Sequence, residues 1–328
     1  MRNLLQAKTP ESENYYNIGG HTFKILSYGD FDAQAYLKSM SHLALSPDSE
    51  AEVTIHLIES VSTGLTPPQE WLNWPDIEPY NGELLNFGSN RALFNNTELW
   101  FVYADFDTNH IYYWVDDFLK LPPRDYAIPL IMVFNLWFAN TRFFLCHAAA
   151  LGIGDKGILL TGKGGSGKST STLSCLNTEV KLAGDDFLLV DSENLIAHSL
   201  YGVAKLNIDQ YENLPHLKPL ISNPDQVPDE KGQVYVNEFF PESMINQFRI
   251  EGILLPTITG LEDTFIQKCS KIDAIKALVP SSIWILKSDK RAVEKMNYLI
   301  SQKPTFRLMA GTKLEQIAPT LAMFINES

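Results

Sequence analysis

The chain has 328 residues, of which 45% are hydrophobic and 20% are charged, a composition typical of a globular protein with a sizeable core. Its 26 Lys and Arg against 39 Asp and Glu give a net charge of −13, which argues against a general attraction to nucleic acid or anionic membranes. We therefore expect no nucleic-acid partner and no membrane partner. The length predicts about two domains.

The N-terminal segment and the cysteines bear on the cellular compartment. Residues 1–13 are polar and lack the apolar run that a secretory signal contains. Cys146, Cys175 and Cys269 lie far apart and form no CxxC pair, which is typical of reduced thiols in a cytosolic protein. These features predict a cytoplasmic protein.

The first 120 residues predict a smaller α+β domain. Short runs at 21–28, 51–59, 98–105 and 110–115 alternate apolar and polar residues, the pattern of half-buried antiparallel strands. No catalytic motif stands out here. Trp71 and Trp74 are candidates for a recognition surface, with loop packing as the alternative.

A second domain is predicted at 121–328, because the proline-containing segment 121–125 interrupts the strand pattern. We expect a buried helix over 128–142 and a β-hairpin from the runs 143–151 and 157–161. Later segments predict strands at 180–183, 187–190 and 253–255, and helices at 168–176, 272–278, 291–301 and 314–325. This alternation predicts an α/β domain.

A glycine-rich loop follows the second run of that hairpin. It matches the phosphate-loop pattern GxxxxGK[ST] at every position, with Gly162, Lys163, Gly164, Gly165, Ser166, Gly167, Lys168 and Ser169. Glycines let successive amides converge on an anion, the lysine reaches the β- and γ-phosphates, and the serine hydroxyl ligates Mg²⁺. Thr170 completes the predicted nucleotide site. We therefore expect ATP and Mg²⁺ as cofactors, although GTP and pyrophosphate stay open as donors.

Two adjacent carboxylates, Asp185 and Asp186, end the next predicted strand. One carboxylate at this place can bind Mg²⁺ while its neighbour accepts a proton from an attacking hydroxyl, the two tasks of phosphoryl transfer to an alcohol. We predict Ser169, Asp185 and Asp186 as metal ligands. The alternative is a solvated strand end in an acidic protein.

Further candidates flank this pair. His147 lies on the strand before the loop, where a packed core histidine is the alternative to a role in chemistry. Lys205 follows the carboxylates and is a candidate to neutralise a transferring phosphoryl group. We predict Asp185, His147, Lys168 and Lys205 as the catalytic set. Lys231, Arg249 and Arg307 are weaker candidates, each with a solvated charge as its alternative.

In this order, the motifs resemble the catalytic core of the HPr kinase/phosphorylase family. The resemblance covers residues 147–190, HAAALGIGDKGILLTGKGGSGKSTSTLSCLNTEVKLAGDDFLLV, and extends more weakly through 199–206. It implies an α/β P-loop kinase core related to phosphoenolpyruvate carboxykinase. It also implies that Asp185 is the base for a serine hydroxyl, that Asp186 supports metal or substrate, and that His147 lines the same pocket.

The chain also departs from that family. Its downstream Arg-Gly-rich signature, associated with phosphorylase activity, is not found, and residues 1–120 do not resemble the N-terminal domain of the regulatory kinases. The chain is more similar to relatives that modify peptides, such as those that phosphorylate lasso-peptide precursors. The resemblance therefore implies a peptide or small protein as partner, and the family's hexamers make a homo-oligomer an expectation.

Three functions remain open from the sequence. The first is an ATP- and Mg²⁺-dependent kinase that phosphorylates a hydroxyl, with a serine of a peptide or small protein as the expected acceptor. The second is a small-metabolite kinase acting on free serine, a sugar or a sugar acid. The third is a nucleotide-binding module without transfer activity. By elimination, residues 1–120 are expected to recognise the acceptor or to mediate assembly.

Overall fold

The computed structural model describes residues 5, 8–47, 49–67, 85–87, 89–95, 100–227, 229–286 and 290–328. Trp71 and Trp74, the candidates for a recognition surface, lie outside these residues. In the described part of the chain, every helix is too short or too polar to cross a membrane.

Strands and helices of the described residues have the following bounds. The strands are β1 (Ser12–Ile18), β2 (His21–Tyr28), β3 (Val53–Glu59), β4 (Leu85–Phe87), β5 (Asn90–Asn95), β6 (Trp100–Asp105), β7 (His110–Val115), β8 (Phe143–His147), β9 (Ala149–Ile153), β10 (Lys156–Leu160), β11 (Lys181–Gly184), β12 (Phe187–Asp191), β13 (Ile196–His198), β14 (Val203–Leu206), β15 (Gly232–Tyr235), β16 (Gln247–Ile258), β17 (Phe265–Lys268) and β18 (Thr305–Ala310). The α-helices are α1 (Ala33–Leu37), α2 (Ser60–Thr63), α3 (Pro123–Ala127), α4 (Ile131–Phe138), α5 (Lys168–Leu173), α6 (Val236–Phe239), α7 (Lys271–Leu286), α8 (Lys290–Gln302) and α9 (Ile317–Glu327). Short segments of 3₁₀ helix lie at Lys38–Leu43, Phe118–Lys120, Ile208–Glu212, Pro215–Leu220, Pro224–Gln226, Pro241–Ser243 and Leu314–Gln316.

The chain packs as two compact units. The first comprises Met1–Lys38 and Leu43–Trp137, and the second comprises Ser39–His42 and Phe138–Ser328. The units therefore divide at residues 137 and 138, whereas the sequence predicts a domain boundary at 120 and 121. What each unit does stays a prediction.

The described residues of the first unit form a mixed sheet with the strand order β1-β2-β3-β7-β6-β5-β4. The predicted strands are present, but the expectation of an antiparallel sheet is wrong at its centre, where β3 is parallel to both β2 and β7. Helix α1 lies between β2 and β3 in the chain and supplies a crossover that parallel pairing requires. Residues of β3 are buried on both faces, as in the central strand of a covered sheet.

The second unit is built on a larger sheet with the order β11-β9-β10-β16-β13-β12-β8. Strand β16 also pairs in parallel with β18, and β17 pairs with β18. Strands β14 and β15 form a separate two-stranded sheet. With several sheets and helices in both units, the chain is a mixed α/β protein, as predicted at this level.

Two hydrophobic cores cover the faces of this sheet. Ile158 and Leu160 of β10 contribute to a core that includes residues of α5 and α9. Leu159, between them, contributes to the other core, which includes residues of α7 and α8. Successive strand residues point to opposite faces, so β10 is buried on both sides and forms a fixed base for the loop that follows it.

Several predicted elements have different bounds: the strand expected at 253–255 is the longer β16, the helix expected over 272–278 is the longer α7, and three others differ as follows. The helix expected over 128–142 is only α4, because Pro129 precedes Leu130, whose φ of +60° is left-handed and cannot continue a helix. The helix expected over 168–176 ends at Leu173 as α5. The run 143–151 is not one strand, since it is interrupted at Ala148 between β8 and β9.

The hairpin β9–β10 is packed against an aromatic ring. A Cβ atom at Gly157 would clash with the Leu151 carbonyl oxygen and lie 2.5 Å from ring carbons of Phe248 on β16, and one at Gly152 would lie 2.6 Å from the same ring. Gly154, in the turn of the hairpin, has a φ of +60° and no atom within 4 Å of a Cβ. There is therefore no room for a side chain at Gly152 or Gly157. At Gly154 there is room, and the backbone need only be left-handed.

We expect Gly157→Ala to lower the free energy of unfolding by about 1–3 kcal/mol, because the added methyl group clashes with the Leu151 carbonyl oxygen and the Phe248 ring. Urea denaturation measures this loss. Gly154→Asn is the control and should change stability by less than about 1 kcal/mol, since asparagine adopts left-handed backbone and the space is open. Equal effects of the two substitutions would contradict the packing argument.

Candidate functional site

The glycine-rich loop Gly162–Ser169 connects β10 to α5. Gly165 and Gly167 have φ angles of +78° and +99°, a conformation that glycine adopts without strain. A Cβ at Gly164 or Gly165 would meet no atom within 4 Å, so the backbone there borders open space. At the start of the loop, a Cβ at Gly162 would lie 2.7 Å from Ser166 Oγ. The loop thus closes tightly at one end and leaves an accessible backbone in its middle.

Lys168 begins α5 and is largely buried. Its ammonium group donates hydrogen bonds to the carbonyl oxygens of Gly162 and, at 3.4 Å, Lys163. Burial lowers the pKa of Lys168, although the charges of Asp185 and Asp186 oppose this shift. The ammonium therefore lies within the loop and close enough to the carboxylates to interact with their charge.

The two carboxylates lie at a break in the sheet. Gly184 at the end of β11 is paired with Ala150, and Phe187 at the start of β12 is paired with His147. Asp185 and Asp186 occupy the gap between these pairs, opposite the interruption between β8 and β9. The same gap therefore brings the carboxylates next to His147, which the sequence separates from them by almost forty positions.

The two carboxylate oxygens of Asp186 contact a lysine and a histidine. Its Oδ2 lies 2.8 Å from Lys205 Nζ, and its Oδ1 lies 2.9 Å from His147 Nε2. Burial by itself would raise the pKa of Asp186, but Lys205 and His147 outweigh it and keep this pKa well below the ordinary value. Asp186 is therefore a carboxylate whose charge is neutralised within the protein.

Asp185 has the opposite electrostatic character. It is only 3% exposed, and its Oδ2 accepts a hydrogen bond from the Lys205 amide at 3.2 Å. Burial and the neighbouring charge of Asp186 raise its pKa, while Ser169, the Lys205 amide and Lys168 act in the other direction. Its remaining oxygen, Oδ1, is buried without a hydrogen-bond partner among the described residues. This arrangement favours proton uptake at Asp185.

His147 is positioned by two neighbours that the sequence gives no signal for. Its backbone amide donates to Ser282 Oγ of α7 at 3.0 Å, and its ring stacks on Phe187 with centroids 5.0 Å apart. Its Nδ1 is buried and has no partner among the described residues. The histidine is thus fixed in orientation and keeps one ring nitrogen for a further contact.

The weaker cationic candidates Lys231, Arg249 and Arg307 have different surroundings. Lys231 is exposed, and its charge acts on Lys168. Arg249 lies 2.6 Å from Glu251, and Arg307 lies 3.1 Å from Asp273. Lys231 is therefore close enough to Lys168 for their charges to interact, and Arg307 lines a cavity together with Gly162 and Ser166 of the loop.

The residues fit a phosphate ligand and Mg²⁺. Asp185 Oδ1, beside the loop, is buried without a partner among the described residues, and such an atom is costly unless a ligand, a metal ion or water satisfies it. In the described part of the chain, no three His, Cys, Asp or Glu side chains form a complete metal site. Mg²⁺ commonly takes one or two carboxylates and completes its shell with phosphates and water, which suits Ser169, Asp185 and Asp186.

Comparison with known proteins gives little likeness in sequence. No family model matches the chain, and no curated protein matches it. Among solved structures, the Hpr(Ser) kinase/phosphatase from Coxiella burnetii matches with 16% sequence identity and a TM-score of 0.31, over 56% of this chain and 96% of that chain. A TM-score of 0.31 carries no argument about activity.

Asp186→Ala is expected to lower the free energy of unfolding at pH 7 by about 2–3 kcal/mol, because it leaves the largely buried Lys205 ammonium unpaired. A depressed carboxyl pKa stabilises the fold above the unfolded value of about 3.9 and ceases to do so as the pH falls through the folded value. The difference between parent and variant should therefore be constant from pH 7 to about pH 5 and shrink below about pH 4. Denaturant unfolding across this range measures it.

Asp155→Ala serves as control, since Asp155 is an exposed aspartate of the hairpin turn. It should change stability by less than about 0.5 kcal/mol at any of these pH values. A stability difference for Asp186→Ala that persists unchanged to pH 2 would contradict the charge assignment.

Proposed function

We propose that the protein is an ATP- and Mg²⁺-dependent kinase that transfers the γ-phosphate to a hydroxyl group, with a serine of a peptide or small protein as acceptor. The observation that supports this most is the unequal pair of carboxylates. Asp186 is neutralised by Lys205 and His147, whereas Asp185 has a raised pKa and a buried oxygen without a partner. Two carboxylates with separated pKa values are what acid–base chemistry at a hydroxyl requires.

The loop residues would bind the triphosphate. Backbone amides around Gly164 and Gly165 border open space, and Lys168 supplies a buried positive charge beside them. Mg²⁺, bound by Ser169 and the Asp pair, would neutralise phosphate charge when present. Lys205 and Lys231 add positive charge on the side of the carboxylates and of Lys168, respectively.

Asp185 would act on the acceptor. Its Oδ1 accepts the hydroxyl proton while the acceptor oxygen forms a bond to the γ-phosphorus. The bond from that phosphorus to the β,γ-bridging oxygen breaks, and ADP leaves with the electron pair. His147 keeps Asp186 in place at 2.9 Å, so the charge beside Asp185 stays compensated throughout.

The choice of a serine acceptor rests on the order of the sequence motifs and their family resemblance. A role of the first unit in recognising that acceptor, assembly into homo-oligomers, and a cytoplasmic location all belong to this proposal. The same site could phosphorylate a hydroxyl of a small metabolite equally well. The acceptor is therefore identified by a transfer assay that offers both kinds of hydroxyl.

Asp185→Asn is expected to lower the rate of phosphate transfer to a hydroxyl by about 10²–10⁴-fold, because the amide cannot accept the proton. The measurement uses γ-labelled ATP, Mg²⁺ and a library of serine-containing peptides together with free serine and sugars. ATP binding by the variant, measured by calorimetry, should persist.

The matched control is Asp191→Asn. Asp191 is equally buried, but it pairs with Arg142 at 2.9 Å and not with residues of the loop. The Asp191→Asn variant should transfer phosphate at the rate of the parent protein. Transfer by Asp185→Asn at the parental rate would overturn the role of Asp185, and ATP binding without transfer to any acceptor would favour a nucleotide-binding module.

The burial of Asp185 also predicts how it titrates when Mg²⁺ is absent. In the metal-free protein its pKa should lie above the ordinary aspartate value of about 3.9, because burial and the charge of Asp186 both oppose ionisation. Carboxyl-carbon NMR titration of the metal-free protein measures this pKa, with Asp185→Asn to assign the signal. A pKa at or below the ordinary value would contradict the electrostatic difference between the two carboxylates.

A further inference from the structure

A cavity adjoins the glycine-rich loop on the side of β16 and α7. We call it the β16–α7 cavity. It has a volume of about 430 Å³ and is lined by loop residues, by Leu255–Ile258 at the end of β16, by one face of α7 and by Arg307. Ligand sites for small molecules span about 300–1,000 Å³, so this cavity has room for a nucleoside.

The cavity is continuous with the loop. Gly162, Lys163, Gly165 and Ser166 belong both to the loop and to the cavity wall. Asp185 and Asp186 are not among the described residues that line it, so the two carboxylates lie outside this cavity. A ligand with phosphates in the loop can therefore extend into this cavity without occupying the space of an acceptor beside Asp185.

One polar atom in the wall is placed for a ligand. Thr161 is fully buried and lines the cavity, and its Oγ1 has no partner among the described residues. Ser166 Oγ, on the same wall, also lacks one. Buried hydroxyls are normally hydrogen-bonded, so the pair is suited to the hydroxyls of a sugar or the polar edge of a base.

The rest of the wall combines apolar surface with modest positive charge. Pro256, Ile258 and Ala277 supply the apolar part, and Ile258 is 65% exposed, so that a flat ring would cover it. Lys276 contributes a positive charge, while Arg307 is paired with Asp273 at 3.1 Å. An apolar shelf with a few polar groups is typical of a site for a neutral ring system attached to an anion.

We propose that the β16–α7 cavity binds the base and ribose of the phosphate donor, with Thr161 as a hydrogen-bonding residue and Ile258 as the apolar contact. This proposal rests on the proposed kinase function, since the loop must bind the phosphates of the same molecule. It makes a nucleoside triphosphate, and not an inorganic polyphosphate, the preferred donor.

Ala277→Met tests the proposal by filling the cavity. Dissociation constants are measured by calorimetry for two probes, Mg-ATP and inorganic Mg-tripolyphosphate, which has the phosphates without the nucleoside. The variant should bind ATP at least tenfold more weakly and tripolyphosphate within twofold of the parent. Ala292→Met is the matched control. Like Ala277, Ala292 is partly buried and packs against the core that includes residues of α7 and α8, but it does not line the cavity.

Thr161→Val provides a second variant that preserves shape and removes only the hydroxyl. It should weaken ATP several-fold and leave tripolyphosphate unchanged, which keeps the test decisive if Ala277→Met does not fold. The proposal is overturned if the parent binds both probes equally, or if the folded cavity variants weaken both probes alike or neither.

A third variant, Lys168→Ala, shows whether a negative result overturns only the cavity proposal or the proposed kinase function as well. Under the proposed function, Lys168→Ala weakens tripolyphosphate and ATP together, because both place phosphates in the loop. If tripolyphosphate binding does not depend on Lys168, the loop is not the phosphate site and the kinase proposal itself is overturned.

Discussion

Two adjacent carboxylates buried beside a loop must have their charge compensated, and the second unit is organised around this requirement. Lys205 does so from two atoms, since its ammonium pairs with Asp186 and its amide donates to Asp185. His147 adds a second contact to Asp186. As a result, one carboxylate is firmly ionised and the other has a raised pKa, although their sequence neighbourhood is the same. The difference between them arises from tertiary contacts alone.

The sheet supplies the place for this pair by interrupting its own hydrogen bonding. On one side of the gap β11 pairs with β9, ending at Gly184 with Ala150. On the other side β12 pairs with β8 in the same register, starting at Phe187 with His147. An uninterrupted ladder would point alternate side chains to opposite faces and would separate the two aspartates. Because the gap coincides with Ala148 on the partner run, the site has small side chains opposite it and polar groups within it.

Local patterns predict much of this arrangement, and long-range pairing accounts for what they miss. The loop, the carboxylates and Lys205 were each predicted from residue type and spacing, and the structure brings them together. The parallel pairing of β3 was missed, since alternation records burial and not strand direction. The break at Ala148 was missed because its apolar residues continue the strand pattern. The β16–α7 cavity joins segments far apart in the chain, so no local signal predicts it.

Lys205 also connects the carboxylates to a neighbouring segment of the chain. It lies opposite Gln233 in the two-stranded sheet β14–β15, and Asn223 fixes that partner strand by accepting from the Gln233 amide at 2.8 Å and donating to the Lys231 carbonyl at 3.0 Å. The backbone that carries Lys231 toward Lys168 is therefore the same one that sets the position of Lys205 against the two aspartates. A shift of β14 by one residue against β15 would turn Lys205 to the other face of its sheet and leave Asp186 with His147 but without its ammonium partner. The charge around the loop and the balance between the two carboxylates thus depend on one strand register.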